Sequence, residues 1–205
     1  MGRPREFDRA QAIERATRLF WAKGYSNTSV RDLLKVMRIG EGSFYNEMKS
    51  KKSLYLECLK HYNDTVTRRR WDALARETSI GRGVRAFFER VLDDLDDPRT
   101  PNVCLMAGSL SADVLSARDL ARYVVGELEK LEGALAERLE VARKRGELEA
   151  EFDSRLAAQV IVTFLQGLFR VVRVLRSRAE LERQIEALLT GLGLPDLPAR
   201  RPRPG

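Results

Sequence analysis

The side chains best suited to chemistry lie between Asn27 and Lys52. Ser43, Tyr45 and Asn46 fall within four residues of one another, and Lys49, Lys51 and Lys52 follow directly. A hydroxyl, a phenol and a carboxamide present donors and acceptors of the kind that read base edges, while ammonium groups pair with phosphate oxygens. The arrangement suits noncovalent recognition, by a helix laid in the DNA major groove and tied to the flanking phosphates.

Two short helices must carry those groups. Thr28 or Ser29 caps the first, with Asp32 as the acid of a capping box. Val30, Leu33, Leu34 and Met37 then recur at three- and four-residue spacing and form one apolar stripe. Gly40 is expected to take the left-handed conformation that ends this helix and reverses the chain. The second helix, from about Glu41 to Met48, sets Phe44 and Met48 on one face and leaves Ser43, Asn46 and Glu47 on the others. So many polar side chains beside one apolar ridge make either a solvated face or a reading head, and basic residues on both sides favour the reading head.

An earlier helix belongs to the same unit. Asp8 caps it with Gln11 three residues on, Ile13, Ala16, Leu19 and Phe20 form its buried face, and Lys23-Gly24 ends it. Ahead of it, Arg3 and Arg5 stand in a short basic arm able to follow a phosphate backbone or enter the minor groove. Charge is concentrated here. Residues 1–52 hold 12 lysines and arginines against 6 acids, whereas residues 53–194 hold 22 against 23. A basic N-terminal unit implies salt-dependent attraction to a polyanion.

Residues 7–62 resemble the N-terminal domain of TetR-family transcriptional regulators. The resemblance is carried by Phe20-Trp21-Ala22-Lys23-Gly24-Tyr25, Thr28-Ser29-Val30, Gly42-Ser43-Phe44-Tyr45-Asn46 and Lys49-Ser50-Lys51. It implies a homodimer that reads two half-sites of a palindromic double-stranded operator, most often as a repressor, and that leaves DNA when a ligand enters the C-terminal domain. By position, Thr28, Ser29 and Arg31 would hold phosphate and a base edge. Glu41, Gly42, Ser43, Tyr45 and Asn46 would face the groove, and Lys51 would anchor a phosphate. Tyr45 would bond phosphate through its hydroxyl, and Asn46 would bind adenine or the backbone. Glu47 departs from the family pattern: its carboxylate either accepts from cytosine N4 or repels phosphate.

The remaining chain reads as helix throughout, giving an all-α fold: residues 1–52 for DNA, with the motif over 29–48 and a connecting helix from about 51, then 53–192 for ligand binding and dimerisation. The helices are expected over 50–77, from the Ser79-Ile80-Gly81 turn to Asp97, and over 104–115, 118–145, 154–177 and 179–191. Residues 193–205, with four prolines and three arginines, are expected to be a disordered tail.

Leu156, Val160, Gly167, Val171 and Leu175, with Leu181, Ile185 and Leu188, offer more apolar surface than one internal seam needs and are expected at the dimer interface, where the resemblance implies a four-helix bundle. Trp71, Phe87, Phe88, Met106, Phe164 and Phe169 are candidates to line a pocket for an unidentified small-molecule effector, with Gln166 or Arg170 orienting it. The alternative is that they are simply core.

The segment Cys104-Leu105-Met106 to Val114 resembles that of TetR-family sensors of electrophiles and oxidants, in which a lysine assists the cysteine; Arg173 stands nearest that position here. Thiol sensing through Cys104 and a buried structural cysteine are the two readings. A nonspecific architectural DNA binder is the further alternative. Cys58 and His61 alone do not make a metal site. With one histidine, no Gly-rich phosphate loop and no nucleophile elbow, the sequence holds no catalytic constellation and points to no cofactor. Two cysteines, no signal peptide and no long apolar run suggest a cytoplasmic protein without a membrane span.

Overall fold

The structure, a computed structural model, describes residues 8–172, 174 and 177–194, and every regular element among them is helical. Helix α1 (Arg9–Lys23) starts where the Asp8 carboxylate accepts from the Gln11 N–H at 3.0 Å. It stops at Gly24, whose φ of 80° is open to a residue without a side chain. Helix α2 (Val30–Met37) opens with a full capping box between Ser29 and Asp32. Helix α3 (Glu41–Met48) follows after three residues.

The turn between α2 and α3 differs from expectation. Its left-handed residue is Arg38, at φ 60° and ψ 45°, with its N–H on the Leu34 carbonyl. Gly40 is extended, at φ −77° and ψ 164°, and caps the start of α3. The reversal comes directly after Met37, so the left-handed residue is the first one past the helix and not the glycine two further on.

The expected helix over 50–77 is three pieces: α4 (Lys51–Tyr62), a π-helical stretch over Asn63–Thr67, and α5 (Arg68–Arg76). The Thr65 hydroxyl donates back to the His61 carbonyl at 2.7 Å, a local bond of the kind that disturbs an α-helical ladder. Helix α6 (Ile80–Asp96) is capped by Ser79 and packs on α5. Gly83 permits that approach, because a Cβ there would lie 2.9 Å from the Leu74 carbonyl oxygen.

The segment expected as a helix over 104–115 forms two single turns, α7 (Leu105–Gly108) and α8 (Ala112–Leu115). Ser109 ends the first by donating to the Leu105 carbonyl at 2.7 Å. Helix α9 (Arg118–Lys144) runs to a turn at Gly146, α10 (Ser154–Val171) is capped by Asp153, and α11 (Arg178–Gly191) begins with a capping box between Ser177 and Glu180. Helix α10 ends at Val171, short of the expected 177; Arg173, Leu175 and Arg176 lie outside the described residues, as do residues 195–205.

The chain divides into two compact units. Unit 1 comprises the described residues up to 65 together with 104–124; unit 2 comprises 66–103 and the described residues from 125 onward. Unit 1 therefore takes in residues on both sides of position 52. Its core is Phe20, Leu33, Phe44, Met48, Leu54, Tyr55, Leu59 and Tyr62, with the Phe20 and Tyr55 rings edge to face at 4.7 Å. The core of unit 2 gathers Val84, Phe88, Val91, Leu92, Leu139, Ile161, Leu165 and Leu189. Among the described residues no helix is long and apolar enough to cross a membrane.

Candidate nucleic-acid interface

Helix α3 is sorted by its own periodicity. Phe44 and Met48 are fully buried in unit 1, while Glu41, Gly42, Ser43, Tyr45, Asn46 and Glu47 are exposed. Tyr45 keeps 49% of its surface open, its ring set edge-on to Phe44 at 5.3 Å. The buried phenylalanine thus fixes where the tyrosine hydroxyl stands. Among the described residues no side chain caps α3, which leaves its first-turn N–H groups able to meet an outside acceptor.

The preceding helix supplies charge. Arg31, Lys35 and Arg38 line the exposed side of α2 at three- and four-residue spacing. Ser29 is exposed, but its hydroxyl oxygen already accepts from the Asp32 N–H at 3.1 Å. Thr28 is corrected: it is fully buried, and its hydroxyl donates to the Gly24 carbonyl at 2.7 Å. Its side chain braces the turn after α1 and does not stand with the exposed groups. Arg3 and Arg5 lie outside the described residues.

At the start of α4, Lys51 is half-buried and its ammonium sits 4.4 Å from the centre of the Tyr25 ring, a cation–π arrangement. Burial lowers its pKa and the Asp113 carboxylate opposes that shift. Lys52 pairs with Asp119 at 3.0 Å. Glu47 has a cation inside the protein, Arg9 Nε at 4.0 Å, although Arg9 is held mainly by Glu57 at 2.7 and 2.9 Å. The Asp119 pair, and a hydrogen bond from the Ser26 hydroxyl to Asp113, are contacts that sequence reading missed. They join residues 67 and 87 positions apart, and no local pattern signals them.

In unit 2 the aromatic candidates form a chain of rings. Trp71 meets Phe87 at 5.9 Å, Phe87 meets Phe88 at 5.8 Å, and Phe88 meets Phe164 at 5.7 Å. Phe169 lies under the Arg70 guanidinium at 5.4 Å. The Gln166 carbonyl oxygen is buried without a hydrogen-bond partner among the described residues, while Arg170 is exposed. A groove of about 400 Å³ opens elsewhere in unit 2, between Leu74, Ile80, Ala134, Arg138, Val141 and Glu147, none of them among the pocket candidates read from the sequence.

Cys104 and Met106 belong to unit 1. The Cys104 sulfur is buried and accepts from the Tyr62 hydroxyl and from the Ala107 N–H, each at 3.5 Å. Cys58 is also buried, which pushes its thiol pKa up to about 12.

The apolar residues expected at a dimer interface separate into two sets. Leu156, Gly167 and Val171 are exposed on one side of α10, with Val160 and, on α11, Leu188 half-buried. Leu181 and Ile185 are corrected: they are buried within unit 2, on the helix that packs against α6. Leu175 lies outside the described residues.

Comparison with known proteins agrees with this architecture. Residues 12–58 match the family model described as bacterial regulatory proteins, tetR family. Residues 81–188 match that of the tetracyclin repressor-like C-terminal domain. The HTH-type transcriptional regulator YezE of Bacillus subtilis is 31% identical over 151 residues, 74% of this chain and 78% of its own. The HTH-type transcriptional repressor ComR of Escherichia coli is 27% identical over 168 residues, 82% of this chain and 80% of its own. Among solved structures, a cysteine mutant of the TetR family transcriptional regulator CifR, complexed with 26-base-pair double-strand operator DNA, is 29% identical with a TM-score of 0.82, covering 92% of this chain and 98% of that one.

Proposed function

This chain belongs to the TetR family of transcriptional regulators, and from that premise we propose that it is a repressor which grips a palindromic operator as a homodimer and releases it when a small molecule occupies unit 2. The observation that carries the reading is the two-sidedness of α3. Phe44 and Met48 lock it into the core, and Ser43, Tyr45 and Asn46 are left open beside the exposed Arg31. A solvated helix needs no such fixed donors and acceptors.

In this reading Tyr45 and Ser29 bond phosphates, Arg31 and Asn46 reach base edges, and Lys51 closes on a flanking phosphate. Glu41, Gly42 and Ser43 enter the groove at the N-terminal end of α3. The exposed side of α10, with Leu156, Val160, Gly167 and Val171, meets its counterpart on a second copy. CifR, complexed with operator DNA, and ComR, a transcriptional repressor, support the DNA partner and the repressor assignment. The ring chain from Trp71 to Phe164, with the Gln166 oxygen that has no hydrogen-bond partner among the described residues, supports an apolar effector bearing one hydrogen-bond donor.

The test is selection of bound duplexes from a random library at physiological salt. One enriched palindrome, preferred roughly a thousandfold or more over random DNA, is the expected result. Salt-sensitive binding without enrichment would replace the proposal with a nonspecific architectural binder.

A further inference from the structure

We propose that Asp119 is a positioning residue for operator recognition: its carboxylate holds Lys52 at the start of α4 in the place of a DNA phosphate, and so limits how tightly the duplex is bound. The inference rests on the reading above, in which unit 1 grips DNA through α3 and the first turn of α4.

Helix α4 begins with two adjacent cations, Lys51 and Lys52, and has no acid in its first turn. The N-terminal end of a helix carries partial positive charge, so two ammonium groups there are at a disadvantage that a nearby anion relieves. The anions come from the distant segment that completes unit 1. Asp119 accepts from Lys52 at 3.0 Å. Asp113 accepts from the Ser26 hydroxyl and raises the Lys51 pKa against the effect of burial. Two further bonds fix the segment, Tyr55 with Ser109 at 2.7 Å and Asn63 to Tyr123 at 3.2 Å.

The Asp119 carboxyl is held below its ordinary pKa by the bond from Lys52 and then by the charges of Arg122 and Arg118, so it is ionised at neutral pH. The pair is also open: the Lys52 and Asp119 side chains keep 47% and 59% of their surfaces exposed. A phosphate oxygen can therefore replace the carboxylate without opening the core. The same anion that steadies the free protein competes with a DNA phosphate for Lys52 in the complex and keeps that lysine from full engagement, so stability and affinity are set in opposition.

Asp119→Asn keeps the shape of the side chain and removes its charge. The selected operator is expected to bind roughly two- to fivefold tighter at fixed salt, the range of an exposed ion pair. The logarithmic salt dependence of binding should steepen by roughly one, as one more lysine releases a counterion, while Tm falls slightly. A merely structural Asp119 lowers Tm and affinity together and leaves the salt slope alone; that result, or no change in affinity, overturns the inference.

The double variant Lys52→Gln/Asp119→Asn should bind no tighter than Lys52→Gln alone, and a gain that persists there overturns it too, because Lys52 would not be the group released. Tyr45→Ala, run in parallel, separates the two levels. If it still binds the operator, the α3 reading fails. If it loses binding while Asp119→Asn changes nothing, only the present inference fails.

Discussion

Arg70 donates from Nε to Asp94 Oδ2 at 2.9 Å inside unit 2, and the two side chains retain only 4% and 5% of their surfaces. Arg90 donates to the other carboxylate oxygen at 2.7 Å, the Thr100 hydroxyl binds the Asp94 carbonyl, and the Phe169 ring covers the Arg70 guanidinium. One carboxylate thus ties α5 and α6 together beside α10. Assembling such a pair consumes most of its Coulomb energy in desolvation, but removing one partner leaves the other charge buried and uncompensated. Asp94→Asn is expected to cost about 3–5 kcal/mol, read from urea unfolding, whereas replacing both residues with apolar ones of similar volume should cost far less. Equal losses in the single and double variants would show that the pair is not the source of the effect.

Arg38 adopts the left-handed conformation that glycine takes without strain. Arg38→Gly should therefore stabilise unit 1 by about 0.5–1 kcal/mol, seen as a rise in Tm. A fall in Tm would mean that the arginine side chain contributes contacts outweighing its backbone strain.

Tyr45 contributes little to the core at 49% exposure. Tyr45→Ala is expected to leave Tm within the range of an ordinary surface substitution, about 0.5 kcal/mol, and to abolish operator binding in a gel-shift assay. Binding that survives would remove Tyr45 from the interface.

The Glu140 carboxyl is held down to about 2, chiefly by its hydrogen bonds from Arg143 and also by the Ser154 hydroxyl at the start of α10. Its folded pKa lies below the ordinary 4.5, so its contribution to stability is complete above that pH and is lost as pH falls toward about 2. Glu140→Gln should flatten the fall of Tm across that window. An unchanged acid slope would assign acid sensitivity to other carboxylates.

Cys58, raised to about 12 from 9.0 by burial, stays a neutral thiol in the folded protein where it would ionise in the unfolded chain. Stability should accordingly decline as pH rises from about 9 toward 12. Iodoacetamide at pH 9 should leave Cys58 unmodified until denaturant is added, and rapid native alkylation identified by mass spectrometry would contradict its burial.

How much was legible varies from residue to residue. The start and stop of α3 follow from Glu41 to Met48, because the i, i+4 pair of Phe44 and Met48 and the flanking breakers are local signals. The caps at Asp8 and Ser29 are local for the same reason. The left-handed residue escaped because conformation after a helix depends on where the chain must turn, and that selected Arg38 over the nearby Gly40. The π-helical stretch at Asn63–Thr67 escaped because the apolar spacing runs through it with little change in period.

The sequence by itself determined the all-helical class and the polar face of α3, since periodicity and capping act over a few residues at a time, and its motifs from Phe20 to Lys51 carried the resemblance to the TetR family. Only the tertiary structure decided which apolar side chains were used internally: Leu181 and Ile185 are spent against α6, and Leu156 and Val171 remain open. It also decided that Thr28 turns inward and that Lys52 meets Asp119. Burial and long-range pairing depend on which segments the folded chain brings together, and periodicity marks an apolar or charged face without identifying what will cover it.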